Sequence, residues 1–296
     1  MWVGLIDIES KIFNTAYMQI AAFHKRCGDT VGWWSPLTDR RFDVVYCSSL
    51  FDFTDKSEVP ARAVCGGTGF DVKSKLNKAI GAAPLDYSIY PKCKTSYIWF
   101  SRGCNRRCPW CVVPEKEGPI QPVDPKNLNP NGKYITVCDN NFFANPFWKM
   151  AISHLKNHWG QPVDFQGVDV RTLNKEKCIA LLSLRHYKQI KIAWDNPRED
   201  LYEKLLWVTR LISARWLMCY VLVGFNSTEQ EDLYRIETLR GLNIDPFVMP
   251  YNRSDLYQKA FARWVNHKAI FKTVEWADYY GRVREQESAG TGWQKK

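Results

Sequence analysis

From Tyr97 onward, apolar strand-like runs recur, at a nearly constant interval once past Tyr134. They begin near Tyr97, Tyr134, Val163, Ile190, Leu217 and Ile244, and the last four intervals are 29, 27, 27 and 27 residues. An interval of that length holds one strand, one helix and two short connections. The intervening segments 175–186, 199–213 and 229–240 show helical periodicity with charged faces. Parallel strands require such crossovers. The pattern therefore predicts an α/β fold in which six strand–helix units make a partial (βα)6 barrel, short of the full eight.

Residues 1–85 read as a separate, smaller unit. Val3–Asp7, Thr30–Trp34, Phe42–Cys47 and Ala61–Cys65 are short apolar strands. Asn14–Arg26 carries Ala16, Tyr17, Ile20, Ala21 and Phe23 at helical spacing and stops at Cys27-Gly28-Asp29. These elements predict a small Rossmann-like α/β domain, with too few parts for a full nucleotide-binding domain. Gly66-Gly67-Thr68-Gly69 lacks the G-x-G-x-x-G spacing, so it either approaches a phosphate or only turns the chain. A proline-marked connector, Ala83-Pro84 through Pro91, leads into the barrel region, taken as 86–252. The remainder, 253–296, is expected to be a helical extension, with an aromatic, basic helix at 257–271 suited to capping the barrel. Beyond about Gln286 the chain is polar and glycine-containing and is expected to fray.

Three cysteines fall within eight residues, in Ser101-Arg-Gly-Cys-Asn-Arg-Arg-Cys-Pro-Trp-Cys111. Thiolates this close can converge on one centre, and three of them leave one iron of a cubane cluster without a protein ligand. Structural zinc is the alternative, but it usually takes four ligands, commonly from two separated C-x2-C pairs. No second pair exists, and none of the five histidines is near the triad in sequence. Arg102, Arg106 and Arg107 surround the thiolates, and positive charge lowers thiol pKa and offsets an anionic cluster. The C-x3-C-x2-C spacing, with Trp110 before the last Cys, resembles the signature of the radical S-adenosylmethionine (radical SAM) superfamily. That resemblance implies a [4Fe–4S] cluster on Cys104, Cys108 and Cys111, whose open iron chelates S-adenosylmethionine. One electron then cleaves the sulfonium to a 5′-deoxyadenosyl radical. It also implies an electron donor of the flavodoxin or ferredoxin type. Enzymes of this superfamily commonly have a partial TIM-like barrel, so motif and strand repeat agree.

In a parallel barrel, function collects at the C-terminal ends of the strands. Here those ends are polar: Cys138-Asp139-Asn140-Asn141, Gln166-Gly-Val-Asp169-Val-Arg171, Trp194-Asp195-Asn196, Tyr220-Val-Leu-Val-Gly224-Phe-Asn226 and Met249-Pro-Tyr-Asn252. Asn and Asp at such places also cap helices, and Asn174, Asn196 and Asn226 suit that role. Asp169 and Arg171 lie on one side of an extended segment and suit a clamp on a carboxylate and a ribose. Asp139 and Asn140 stand where relatives bind the methionine amino group, although the usual Gly-Gly-Glu is absent. The candidate cofactor contacts are the Trp110 backbone, Asp139, Asn140, Asn141, Gln166, Asp169, Arg171, Asp195, Tyr220 and Gly224. No catalytic residue beyond these is singled out.

The resemblance extends along the chain. Leu5-Ile-Asp-Ile, Tyr46-Cys-Ser-Ser-Leu-Phe51, Gly66-Gly-Thr-Gly-Phe70, Val113-Pro-Glu-Lys-Glu-Gly118, Asp139-Asn-Asn-Phe142, Gln166-Gly-Val-Asp-Val-Arg171 and Arg263-Trp-Val-Asn266 together resemble a family of bacterial and phage-borne radical SAM proteins. Their N-terminal region is similar to a reduced cobalamin-binding domain. No Asp-x-His-x-x-Gly motif offers a lower axial His, so cobalamin binding is not expected. Cys47 and Cys65 fall at strand ends, where a second cluster would need ligands, but no third Cys joins them there and buried thiols are the expectation. The resemblance implies cofactor and fold, and it implies no substrate.

A net charge of +10 suggests an anionic substrate or partner, nucleic acid included, although the basic residues are spread rather than blocked. Thirteen Trp and fourteen Tyr suit either base stacking or core packing. No run of eighteen apolar residues exists and the N-terminus lacks a basic leader, so a cytoplasmic protein with no membrane partner is expected. Ten cysteines there favour reduced thiols and metal binding over disulfides. The competing function is a non-catalytic nucleic-acid-binding protein with a structural metal site.

Overall fold

In the computed structural model, β1 (Trp2–Ile6) buries four of its five residues, as a strand covered on both faces must. Helix α1 (Thr15–Arg26) starts where the Asn14 side chain accepts the Ala16 amide, and it buries Tyr17, Met18, Ile20 and Ala21. Next come β2 (Thr30–Trp33), β3 (Val44–Ser48) and β4 (Val64–Gly66). All pairings are parallel, in the order β2-β1-β3-β4. The last strand is shorter than the expected Ala61–Cys65, because the Ala63 amide turns back to the Pro60 carbonyl. The structure describes residues 1–288. Most of the stretch expected to fray lies outside them.

Behind this sheet, Tyr17, Met18, Leu85, Tyr87 and Tyr90 form one apolar cluster. Short α2 (Lys78–Ala82) leads to β5 (Thr95–Ile98), and Asn127 pins the connector by bonding both the amide and the carbonyl of Leu85. A two-residue antiparallel ribbon follows, β6 (Ser101–Arg102) with β7 (Gln121–Pro122). Between them sits one short turn of helix, α3 (Val113–Lys116). Then come β8 (Tyr134–Val137), parallel to β5, and α4 (Trp148–Ser153), which runs on as a π-helical turn, His154–Trp159. Strand β9 (Val163–Phe165) extends this sheet in the order β5-β8-β9 and carries the boundary between two compact units, Met1–Val163 and Asp164–Lys296. The expected divisions after residues 85 and 252 fall inside these units.

The second unit continues with α5 (Lys175–Leu182), β10 (Ile190–Ala193), α6 (Tyr202–Thr209), β11 (Leu217–Val223), α7 (Glu229–Gly241) and β12 (Asp245–Pro250). Its three strands are parallel, in the order β10-β11-β12. Along β11 every second residue from Leu217 is fully buried while Met218, Tyr220 and Leu222 are half-buried, so one face packs against the core more tightly than the other. A capping box, Thr228 with Glu231, fixes the start of α7. The expected single helix at 257–271 is two, α8 (Leu256–Asn266) and α9 (Lys268–Thr273). They part at His267, whose extended backbone ends one helix and whose ring caps the next by accepting the Ile270 amide. Last comes α10 (Trp276–Ser288), where Trp276 stacks on Tyr280 and packs with buried Phe261 and Trp264. Much of the aromatic content at this end of the chain is therefore packing. Among the described residues no helix is long and apolar enough to cross a membrane.

Candidate functional site

The cysteine loop leaves the sheet just after β5 and is closed at its base by the β6–β7 ribbon. A second closure comes from Glu117, whose carboxylate accepts the Gly103 amide at 2.7 Å, the Asn140 side-chain amide at 2.8 Å and the Arg102 guanidinium. Gly103 is required here: its φ is +78° and a Cβ would lie 2.2 Å from the Pro119 carbonyl oxygen. The Cys104 amide donates to the Gly118 carbonyl and the Cys111 amide to that of Cys108. Cys104 and Cys108 are half-buried and Cys111 is exposed. The Arg106 amide donates to Cys104 Sγ at 3.4 Å, a bond of the kind that tunes cluster-bound sulfur.

Asp139, at the end of β8, turns inward. Buried, it accepts the Phe100 amide at 2.9 Å and the Ser101 hydroxyl, tying the end of β8 to the start of the ribbon. Burial pushes its carboxyl up to about 6, against the pull of the Ser101 hydroxyl and the backbone amides. Asn140 is exposed and bonds Glu117, while the Asn141 side-chain amide reaches Asn105 inside the loop at 3.1 Å. All three strand-end residues thus meet the cysteine loop or its base.

In the second unit, Asp169 caps the turn after it by accepting the Arg171 amide, and it also binds Arg171 Nε at 2.7 Å. Arg171 Nη1 reaches Glu199 at 2.7 Å. Burial pulls this guanidinium down, but the two carboxylates raise it on balance. Arg171 is therefore already paired, and Asp169 is engaged in capping the turn. Asp195 accepts the Leu222 amide at 3.1 Å, and burial pushes it up to about 6, against Leu222, Arg235 and Arg171. Tyr220 packs edge-on against Phe247, its register partner, at 5.6 Å. Gln166 is exposed, and Gly224 turns with φ +81° against the Gln258 side chain.

Two charged groups were not singled out from the sequence. Lys191 forms a buried ion pair with Asp164. The signal was present, a charge inside each of the apolar strands Val-Asp-Phe165 and Ile-Lys-Ile192. Arg235, fully buried, donates to the carbonyls of Trp194 and Leu222 and to Asp232, and Asp232 also accepts from Tyr257. An open cavity of about 410 Å³ in the first unit is lined by Phe100, Asn145, Phe147, Met150 and His154 among others, and by none of the candidate residues.

Among the described residues, no three His, Cys, Asp or Glu side chains gather around one point closely enough for a metal ion. A single zinc ion needs all its ligands within about 2.3 Å of one centre. A cubane instead takes each thiolate on a different iron, so its ligands stand further apart. Thiolates are suitable donors to zinc and to iron–sulfur clusters alike, and these three share one doubly closed loop. No protein-family model matches the chain, and no curated protein matches it.

Proposed function

We propose that this chain is a radical SAM enzyme in which Cys104, Cys108 and Cys111 hold a [4Fe–4S] cluster. In this reading β5 and β8–β12 form a partial (βα)6 barrel, preceded by a Rossmann-like domain. The observation that carries it is the position of the thiols: one loop, doubly closed, at the exit of the first of six strands, the last five of which start 27 to 29 residues apart. When bound, such a cluster supplies the electron that splits S-adenosylmethionine to a 5′-deoxyadenosyl radical. The chain's own residues do the rest. Glu117 and the ribbon hold the loop, Asp139 fixes its base, and the Arg106 amide stabilises charge on Cys104. Asn140, Asn141 and the Trp110 backbone are the cofactor contacts nearest this loop in the reading.

The proposed substrate is anionic. Arg102 and Arg171 are paired with carboxylates, so the case for an anion at the loop rests on exposed Arg107 together with the net charge of +10. Anaerobic reconstitution tests the whole reading. Expected are about four irons and four sulfides per chain and release of 5′-deoxyadenosine after reduction by dithionite or a reduced flavodoxin. Stoichiometric zinc, with neither iron uptake nor cleavage, would establish the structural-metal alternative instead.

A further inference from the structure

The strand order β2-β1-β3-β4 reverses direction between β1 and β3. In open parallel sheets, the crevice outside the C-terminal strand ends at such a reversal is where ligands sit. In this sheet the loop after β3 aims Leu50 N at 3.0 Å, Phe51 N at 3.1 Å and Thr54 Oγ1 at 2.7 Å at one place, and Ser49 Oγ, at 2.9 Å, shares its single proton between that place and the Phe51 carbonyl at 2.8 Å. Successive amides converging in this way make an anion-binding nest. What they hold is Glu9 Oε1, from the loop after β1, and the Leu50 amide is shared with Oε2. All four donors are neutral, as suits recognition by oriented dipoles. Burial pushes the Glu9 carboxyl up, but these bonds outweigh it and leave it below its ordinary value.

The nest is built rather than incidental. A Cβ on Gly69 would lie 2.2 Å from the Phe51 carbonyl oxygen and 2.4 Å from Ser49 Oγ. The Gly69 amide meanwhile donates to the Ser49 carbonyl at 2.9 Å. The glycine cluster thus admits the nest's backbone. On its outer side Lys56 Nζ ties the loop by donating to the carbonyls of Asp52 and Thr54.

We propose that the Ser49–Thr54 loop is an oxyanion site, of the kind that takes a carboxylate or phosphate group, and that Glu9 fills it in cis. The switch-point crevice of this unit is thereby closed to external anions, which must compete with a carboxylate tethered beside the site. The inference is independent of the cluster.

The test uses the full chain with Glu9→Gly, melted against added sodium acetate or inorganic phosphate, with sodium chloride at matched ionic strength as control. The variant is expected to melt on the order of 5 °C below the parent. Acetate or phosphate should restore the loss saturably, chloride should not, and the parent should respond to none of them. Restoration by acetate alone identifies a carboxylate site, and by phosphate as well a general oxyanion site. A variant that melts with the parent, or one whose loss neither anion repairs beyond chloride, would overturn the proposal. Should Glu9→Gly not fold, Glu9→Gln carries the test, since it keeps one acceptor oxygen without the charge. Exchange of the Leu50 and Phe51 amides should then be about tenfold faster than in the parent, and unchanged exchange would overturn it.

Discussion

The Glu117 carboxylate accepts the Gly103 amide at 2.7 Å, so the residue that precedes Cys104 is held by the residue that ends the loop. Gln at 117 keeps an acceptor for Gly103 but loses the charge that faces Arg102. Glu117→Gln is expected to retain the fold and to lower iron bound after reconstitution, with Glu117→Ala lower still. Circular dichroism and iron analysis on the same preparations check this. Full iron loading in the Ala variant would remove Glu117 from the account.

Each of Cys104→Ala, Cys108→Ala and Cys111→Ala should abolish reconstitution of a [4Fe–4S] cluster while leaving the melting temperature of the metal-free chain within a few degrees. None of the three is a core residue, and exposed or half-exposed substitutions typically cost about 0.5 kcal/mol or less. Visible absorption near the cluster band and a thermal melt of the apoprotein give the two readouts.

Asp139 supplies a pH signature. Its carboxyl titrates at about 6 in the fold and at about 3.9 in an unfolded chain. The folded state thus holds the proton more tightly. Its contribution is fully present below the unfolded value and is lost as pH rises through about 6. Two units correspond to about 3 kcal/mol. Asp139→Asn stays neutral throughout, so its stability relative to the parent should rise by up to that amount between pH 4 and pH 7. Urea unfolding across this range measures the difference, and a flat difference would show that Asp139 is not raised.

Arg235 is buried with its donors spent on Trp194, Leu222 and Asp232. Arg235→Ala leaves Asp232 buried without its cation and should cost about 3–5 kcal/mol. Chemical denaturation checks the magnitude. A loss below about 1 kcal/mol would mean that Asp232 does not depend on Arg235 to stay buried.

The strand repeat was legible because each strand concentrates apolar residues, at intervals of 27 to 29 residues from the second strand on, and all six observed strands start within two residues of the expected points. The cysteine loop was legible because its spacing is local. What was not legible depends on partners far apart in sequence. Nothing in Val113-Pro-Glu-Lys-Glu117 tells which glutamate will reach Gly103 and Asn140. Nothing near Glu9 announces the loop forty residues on. Arg171 looked available because Glu199, which neutralises it, arrives from another element. The break at His267 was missed because helical periodicity continues across it, and only the ring's use as a cap interrupts the backbone.

The double closure of the cysteine loop also bears on supply and repair. Tying the loop off with a ribbon and a carboxylate places most of the ordering cost in the folding of the chain itself. Under the proposed function, little of that cost then remains for cluster binding. Under that function a newly made chain would wait without iron, and one stripped by oxygen would be reloaded in place. Its turnover in a cell would be set by delivery of iron and sulfide rather than by the folding machinery.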